Sequence, residues 1–148
     1  MKKSLTVAAF AALLIVASLA VARAQKESSQ DHVTYVSANK ATFKPMESSG
    51  GAVSRAVLSG DPDKGPHATL SKFKPGYDAG THYHTNDTRI VVIKGAYLYK
   101  DEDGEKRVGP GDFLLVPGGH KHWSGGDKTE GALFYEEGPD KFDFVPVK

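Results

Sequence analysis

Gly76-Tyr77-Asp78-Ala79-Gly80-Thr81-His82-Tyr83-His84-Thr85-Asn86-Asp87-Thr88-Arg89-Ile90-Val91-Val92-Ile93-Lys94-Gly95 is the stretch on which the reading of this chain turns. In an extended strand the side chains repeat every second residue, so His82 and His84 point to one face. Two imidazoles a few ångströms apart on one face can chelate a divalent cation. Ile90–Lys94 then reads as a strand, and Gly95 marks a turn. Two solvated strand histidines would look the same, so this stretch alone does not establish a metal site.

A second stretch supplies what the first lacks. Gly111-Asp112-Phe113-Leu114-Leu115-Val116-Pro117-Gly118-Gly119-His120-Lys121-His122 runs from a glycine turn through an apolar strand to a tight Pro-Gly-Gly turn and a further histidine. Together the two stretches resemble the two motifs of the cupin superfamily. Gly76, His82, His84 and Gly95 fall at positions of the first motif, G-x5-H-x-H-x3/4-E-x6-G. Gly111, Pro117, Gly119 and His122 fall at positions of the second, G-x5-P-x-G-x2-H-x3-N. Two positions depart from the pattern. Thr88 (or Arg89, at the longer spacing) replaces the glutamate that is usually a metal ligand, and Gly126 replaces the closing asparagine.

The resemblance spans about residues 52–145 and implies a small antiparallel jelly-roll β-barrel with a metal site inside. It implies His82, His84 and His122 as ligands of one divalent metal ion (Fe, Mn, Ni, Cu and Zn all accept imidazole). Three protein ligands leave open positions for water or substrate, as a catalytic metal needs. Without the carboxylate the site keeps the full charge of the cation, so an anionic ligand would be held more strongly. Thr88 would offer a hydroxyl to a metal-bound water. Asp87 would reach the site only if a bulge reversed its direction. His120 reads as a rim or supporting group, and His32 and His67 as solvated. Phe113, Leu115, Ile90 and Val92 read as barrel wall. Tyr97, Tyr99 and Tyr135 read either as cavity lining or as core with the hydroxyl at the surface. Trp123, next to His122, should face the other way.

The rest of the chain agrees with an all-β reading on independent grounds. No long stretch beyond residue 24 carries a 3.6-residue apolar period, and short strands alternate with Gly/Pro turns. Asp101-Glu102-Asp103-Gly104 is a hairpin loop. Strands are expected at Val33–Val36, Ala41–Met46, Val53–Leu58, Ala68–Phe73, Ala96–Lys100, Phe113–Val116, Ala132–Glu136 and Phe142–Val145.

Residues 1–24 read as a signal peptide: Met1-Lys2-Lys3, an apolar run from Leu5 to Val21, then Ala22-Arg23-Ala24 at the cleavage site. The competing reading is an uncleaved anchor. Residues 25–51 then form an N-terminal polar segment with a strand, and 52–148 the cupin-like barrel. The chain has no cysteine, which excludes a lipid-modified cysteine and any disulfide. It holds 19 basic and 18 acidic residues, and three of the basic residues (Lys2, Lys3, Arg23) lie in the signal. The remainder is nearly balanced, with no basic stripe to recommend nucleic acid. The expected protein is exported, periplasmic or secreted, and free of the membrane once cleaved. It would bind a small-molecule ligand or substrate and pair as a homodimer through edge strands. Two functions fit: a metal-dependent enzyme (dioxygenase, lyase or isomerase) acting on a small anionic molecule, or a binding or sensing module without turnover. Mass spectrometry of the exported protein should find Gln25 at the N-terminus. An intact Met1 in a membrane fraction would establish the anchor instead.

Overall fold

A computed structural model of the chain describes residues 33–148; the expected signal segment and His32 lie outside the described residues. The compact unit discussed below is Val36–Lys148. Its strands in chain order are β1 (Lys44–Pro45), β2 (Val53–Gly60), β3 (His67–Phe73), β4 (Asp78–Tyr83), β5 (Thr88–Gly95), β6 (Tyr97–Asp101), β7 (Gly104–Val108), β8 (Phe113–Val116), β9 (His122–Gly126), β10 (Ala132–Gly138) and β11 (Val145–Pro146). They form two antiparallel sheets, ordered β1-β2-β3-β10-β5-β8 and β11-β4-β9-β6-β7. From β3 onward the chain passes between the sheets at every connection except the β6–β7 hairpin. That alternation makes the all-β fold a jelly roll, the architecture expected from the sequence.

The core lies between the sheets because both contribute to it. Ile90, Val92, Val116, Ala132 and Phe134 come from one, and Tyr97, Tyr99 and Val108 from the other. Phe73, Tyr97 and Phe134 are mutually in contact, with ring centroids 4.9–5.4 Å apart. Gly95 closes β5 against this core with φ +70°, and a Cβ there would overlap the carbonyl oxygen of Gly131. The position therefore needs glycine for both its backbone and its space.

Three expectations need correction. Phe113 and Leu115 do not line the interior: they are 62% and 43% exposed. The β5–β8 register sets Thr88 opposite Val116 and Ile90 opposite Leu114. Directly opposed residues share a face, so Leu114 and Val116 point in with Thr88 and Ile90. Val33–Val36 is not a strand; it has no pairing partner among the described residues, and Val33 and Tyr35 are exposed. Phe142–Val145 is largely irregular, with pairing confined to β11, because Asp143 turns its carboxylate and carbonyl toward the loop after β4. Upstream, β1 pairs with β2, so the first sheet includes residues before 52.

The Phe73–Tyr97–Phe134 cluster joins the two sheets, so Phe134→Ala should cost about 3–5 kcal/mol of stability. Urea unfolding measures this, and a loss under about 1 kcal/mol would show that the rings do not hold the sheets together.

Candidate metal centre

His82 ends up opposite His122 because β4 pairs antiparallel with β9 in that register. His84 follows just past the end of β4. The three rings meet, with centroids 4.4 Å (His82–His122), 5.1 Å (His82–His84) and 5.6 Å (His84–His122) apart. One nitrogen from each lies within 4.8 Å of the others. His82 and His122 are 2% and 1% exposed.

The backbone sets the tautomer of each ring. His82 Nδ1 lies 2.9 Å from the carbonyl oxygen of Gly80, His122 Nδ1 3.0 Å from that of His120, and His84 Nδ1 2.5 Å from that of Asp143. A carbonyl oxygen only accepts, so each Nδ1 carries the proton and each Nε2 keeps a free lone pair. Metal-binding histidines are held in this way by their surroundings. Gly80 lies where the β4–β9 pairing shifts register, between Asp78 and Thr81.

Among the described residues, His122 Nε2 and Arg55 Nε are the buried side-chain polar atoms without a hydrogen-bond partner. A buried acceptor without a partner is costly, and a cation would satisfy this one. Burial pushes the His82 pKa down to about 4, opposed by its bond to Gly80 and reinforced by His122 and His84. Burial also lowers that of His122. His82 and His122 therefore stay neutral imidazoles at ordinary pH, and the cluster can hold a metal ion.

Neighbouring residues fix the rings. Phe144 stacks on His82 at 4.2 Å, Tyr99 stacks on His122 at 5.4 Å, and Phe142 packs against His84 at 5.1 Å. The Tyr99 hydroxyl donates to Asp101, which also receives His120 Nε2. His120 is thus a supporting group, as expected: its carbonyl orients His122 and its ring meets a carboxylate. The Pro117-Gly118-Gly119 turn is docked on the loop after β4. Gly119, at φ +78°, donates its N–H to the carbonyl of His84 at 2.8 Å.

The departures from the motif have structural counterparts. Thr88 is buried and faces inward. Asp87 does not join the histidines: its carboxylate accepts from Gly118 N–H at 3.1 Å and pairs with Arg89 at 3.5 Å. Gly126 sits where a Cβ would lie 2.8 Å from the carbonyl oxygen of Lys74, so asparagine has no room there. Trp123 faces away from His122 and donates to Asp78. Tyr97 and Tyr99 are core residues, and Tyr97 also lines the cavity beside the histidines. Tyr135 is half-buried with its hydroxyl on Glu137. His67, expected to be solvated, is buried, with Nδ1 on the carbonyl of Gly65.

The cavity beside His82 and His84 has a volume of about 80 Å³, and its wall includes Arg55, Ser71, Glu136, Phe142 and Phe144. Arg55 and Glu136 form an ion pair at 3.0 Å with side chains 11% and 9% exposed. Neither was singled out from the sequence. Strand parity carried a signal: Glu136 repeats the alternation of Ala132 and Phe134, which puts a carboxylate on the inward face.

Fold and cluster together define a cupin-like protein with a three-histidine site able to hold a metal. The chain belongs to the family described as "Domain of unknown function (DUF4437)", whose model matches residues 18–148. No curated protein matches the sequence. Solved structures share the fold at low identity. The polyketide cyclase RemF from Streptomyces resistomycificus is 18% identical, with a TM-score of 0.67 over 79% of this chain and 87% of that one. An RmlC-like cupin from Shewanella frigidimarina is 19% identical, with a TM-score of 0.57 over 73% of this chain and 92% of that one. A sugar phosphate isomerase from a cupin superfamily, from Silicibacter pomeroyi, is 18% identical, with a TM-score of 0.54 over 77% of this chain and 96% of that one.

The lowered histidine pKa values set the pH dependence of the metal-free protein. The unfolded chain takes up protons below the ordinary histidine value of 6.5, whereas folded His82 resists protonation down to about 4. Stability should therefore be fully present above pH 6.5 and fall as the pH drops toward 4. Urea midpoints across that range, for chelator-treated wild type and for His82→Gln, check this. An equally steep fall in the variant would assign the dependence elsewhere.

Proposed function

We propose that this chain is an exported, metal-binding member of its fold class whose His82/His84/His122 centre acts on a small anionic molecule. One observation carries the reading: three imidazoles share a cluster, each with Nδ1 tied to a backbone carbonyl and Nε2 free. A divalent cation held there would supply positive charge to polarise a bound oxygen-bearing group.

The chain's own residues do the rest. Phe142 and Phe144 cover the rings and exclude water from one side, which strengthens electrostatic interactions in the cavity. Tyr99 and the Asp101–His120 contact hold His122 in place. With Thr88 in the glutamate position, no carboxylate among the described residues joins the histidine cluster to offset a cation's charge, which favours an anionic occupant. Glu136 is the carboxylate on the cavity wall able to exchange a proton with that occupant. Its engagement with Arg55 favours a second reading, binding without turnover, because the carboxylate already has a partner.

Metal content is the test. Protein purified from its exported location without added metal should carry about one equivalent of a divalent metal by mass spectrometry, and His122→Ala should lose it. A redox metal would favour dioxygenase chemistry, and zinc would favour lyase chemistry or binding. No bound metal, and no thermal stabilisation on adding metals, would overturn the proposal.

A further inference from the structure

Arg55 Nε is the second buried polar atom without a partner among the described residues, and it belongs to a side chain on the cavity wall. Glu136 engages the guanidinium through one N–H only, from Nη2 to Oε1 at 3.0 Å. A bidentate carboxylate pairing would use two parallel N–H groups of the planar fork. This arginine is therefore held in place but not saturated.

Its position relative to the histidines follows from Phe142. The guanidinium carbon sits 4.0 Å from the centre of that ring, and the His84 ring centre lies 5.1 Å from the same ring. Those two distances together bound the separation between guanidinium and imidazole. A ligand of a few non-hydrogen atoms spans such a gap, and the cavity of about 80 Å³ suits one. The floor between Arg55 and Glu136 is β3, where Arg55 pairs opposite Ser71 and Glu136 opposite Thr69. Ser71 is small and also lines the cavity.

We propose that Arg55, held by Glu136, anchors the carboxylate of a small carboxylic-acid ligand whose other polar end faces the histidine cluster. The guanidinium on the cavity wall supplies the positive charge, its planar fork fits a carboxylate, and the Phe142 face keeps the cation oriented. Glu136 also sets the selectivity. Its negative charge beside the guanidinium disfavours a dianion, so a monocarboxylate is preferred over phosphate. The inference deepens the metal-centre reading and relies on it only for what the far end of the ligand meets.

Calorimetric titration with glycolate, acetate and inorganic phosphate tests it, on metal-loaded and chelator-treated protein, with metal content measured for every variant. Wild type should bind the monocarboxylates more tightly than phosphate. Arg55→Lys keeps the charge but removes the Nε–H and the planar fork, and should weaken glycolate binding at least about tenfold with metal content unchanged. Glu136→Gln frees the guanidinium and should tighten glycolate binding, an effect that a merely structural ion pair would not produce. Glycolate binding unchanged in both variants, a preference for phosphate, or no binding of either carboxylate to wild type would overturn the proposal. If Arg55→Lys fails to fold, Glu136→Gln decides: tighter binding supports the anchor and unchanged binding rejects it. Arg55-dependent binding in a protein that takes up no metal would sink the metal centre alone. Metal uptake with Arg55-independent binding would sink the anchor alone.

Discussion

Antiparallel pairing of β4 with β9, in the register that sets His82 opposite His122, is the constraint on which the rest of the site depends. A shift of one residue would turn one of these rings to the outer face, where Trp123 now lies. Two devices hold the register. At one end, the Trp123 indole N–H and Gly80 N–H both meet the Asp78 carboxylate, which fixes the irregular start of β4. At the other, the Pro117-Gly118-Gly119 turn is pinned to the loop after β4 through the His84 carbonyl and the Asp87 side chain. The glycine at position 118 is required by that docking, since a Cβ there would overlap the carbonyl oxygen of Thr85.

The same arrangement explains why the histidines are preset. Gly80 and His120 each lie two residues before a histidine and turn a carbonyl to its Nδ1. His84 lies past the strand end and lacks such a neighbour, so Asp143, far along the chain, provides the carbonyl. The Asp143 carboxylate also accepts the Thr85 N–H and hydroxyl, which anchors the segment. The C-terminal segment therefore completes the cluster as well as covering it. Its two phenylalanines pack on His82 and His84.

What could be read from the sequence divides along physical lines. The gathering of His82, His84 and His122 was legible because the motif positions encode backbone requirements: turns at fixed glycines, a strand, a tight Pro-Gly-Gly corner. Such requirements are local, and a sequence records them directly. The facing of β8 was not legible, because four apolar residues in a row carry no alternation, and only the register with β5 selects Leu114 and Val116 as the inward pair. Phe142 and Phe144 read as one more strand. Their role depends on Asp143 reaching a loop 58 residues earlier, which no local pattern announces. Arg55 and Glu136 were passed over for a related reason. Each looks like an ordinary strand charge until pairing through β3 places them together.

The charge distribution gives Thr88 its meaning. In the motif a carboxylate at that position would stand among the histidines and offset part of a cation's charge. Here the position is buried threonine, and the inward carboxylate nearby is Glu136, opposite Ile90 on β10 and so one step along the sheet from Thr88. Glu136 is matched by Arg55, so it adds little net charge to the cavity. A buried ion pair is weak support for stability, because desolvation offsets much of the attraction. This pair also leaves the Arg55 Nε–H without an acceptor, so stability alone does not account for it. An anionic occupant with an oxygen at each end would meet a cation at the histidine cluster and the guanidinium of Arg55. The two groups call for opposite things, a positive centre and an anion, and one bound metal with one small carboxylate would meet both.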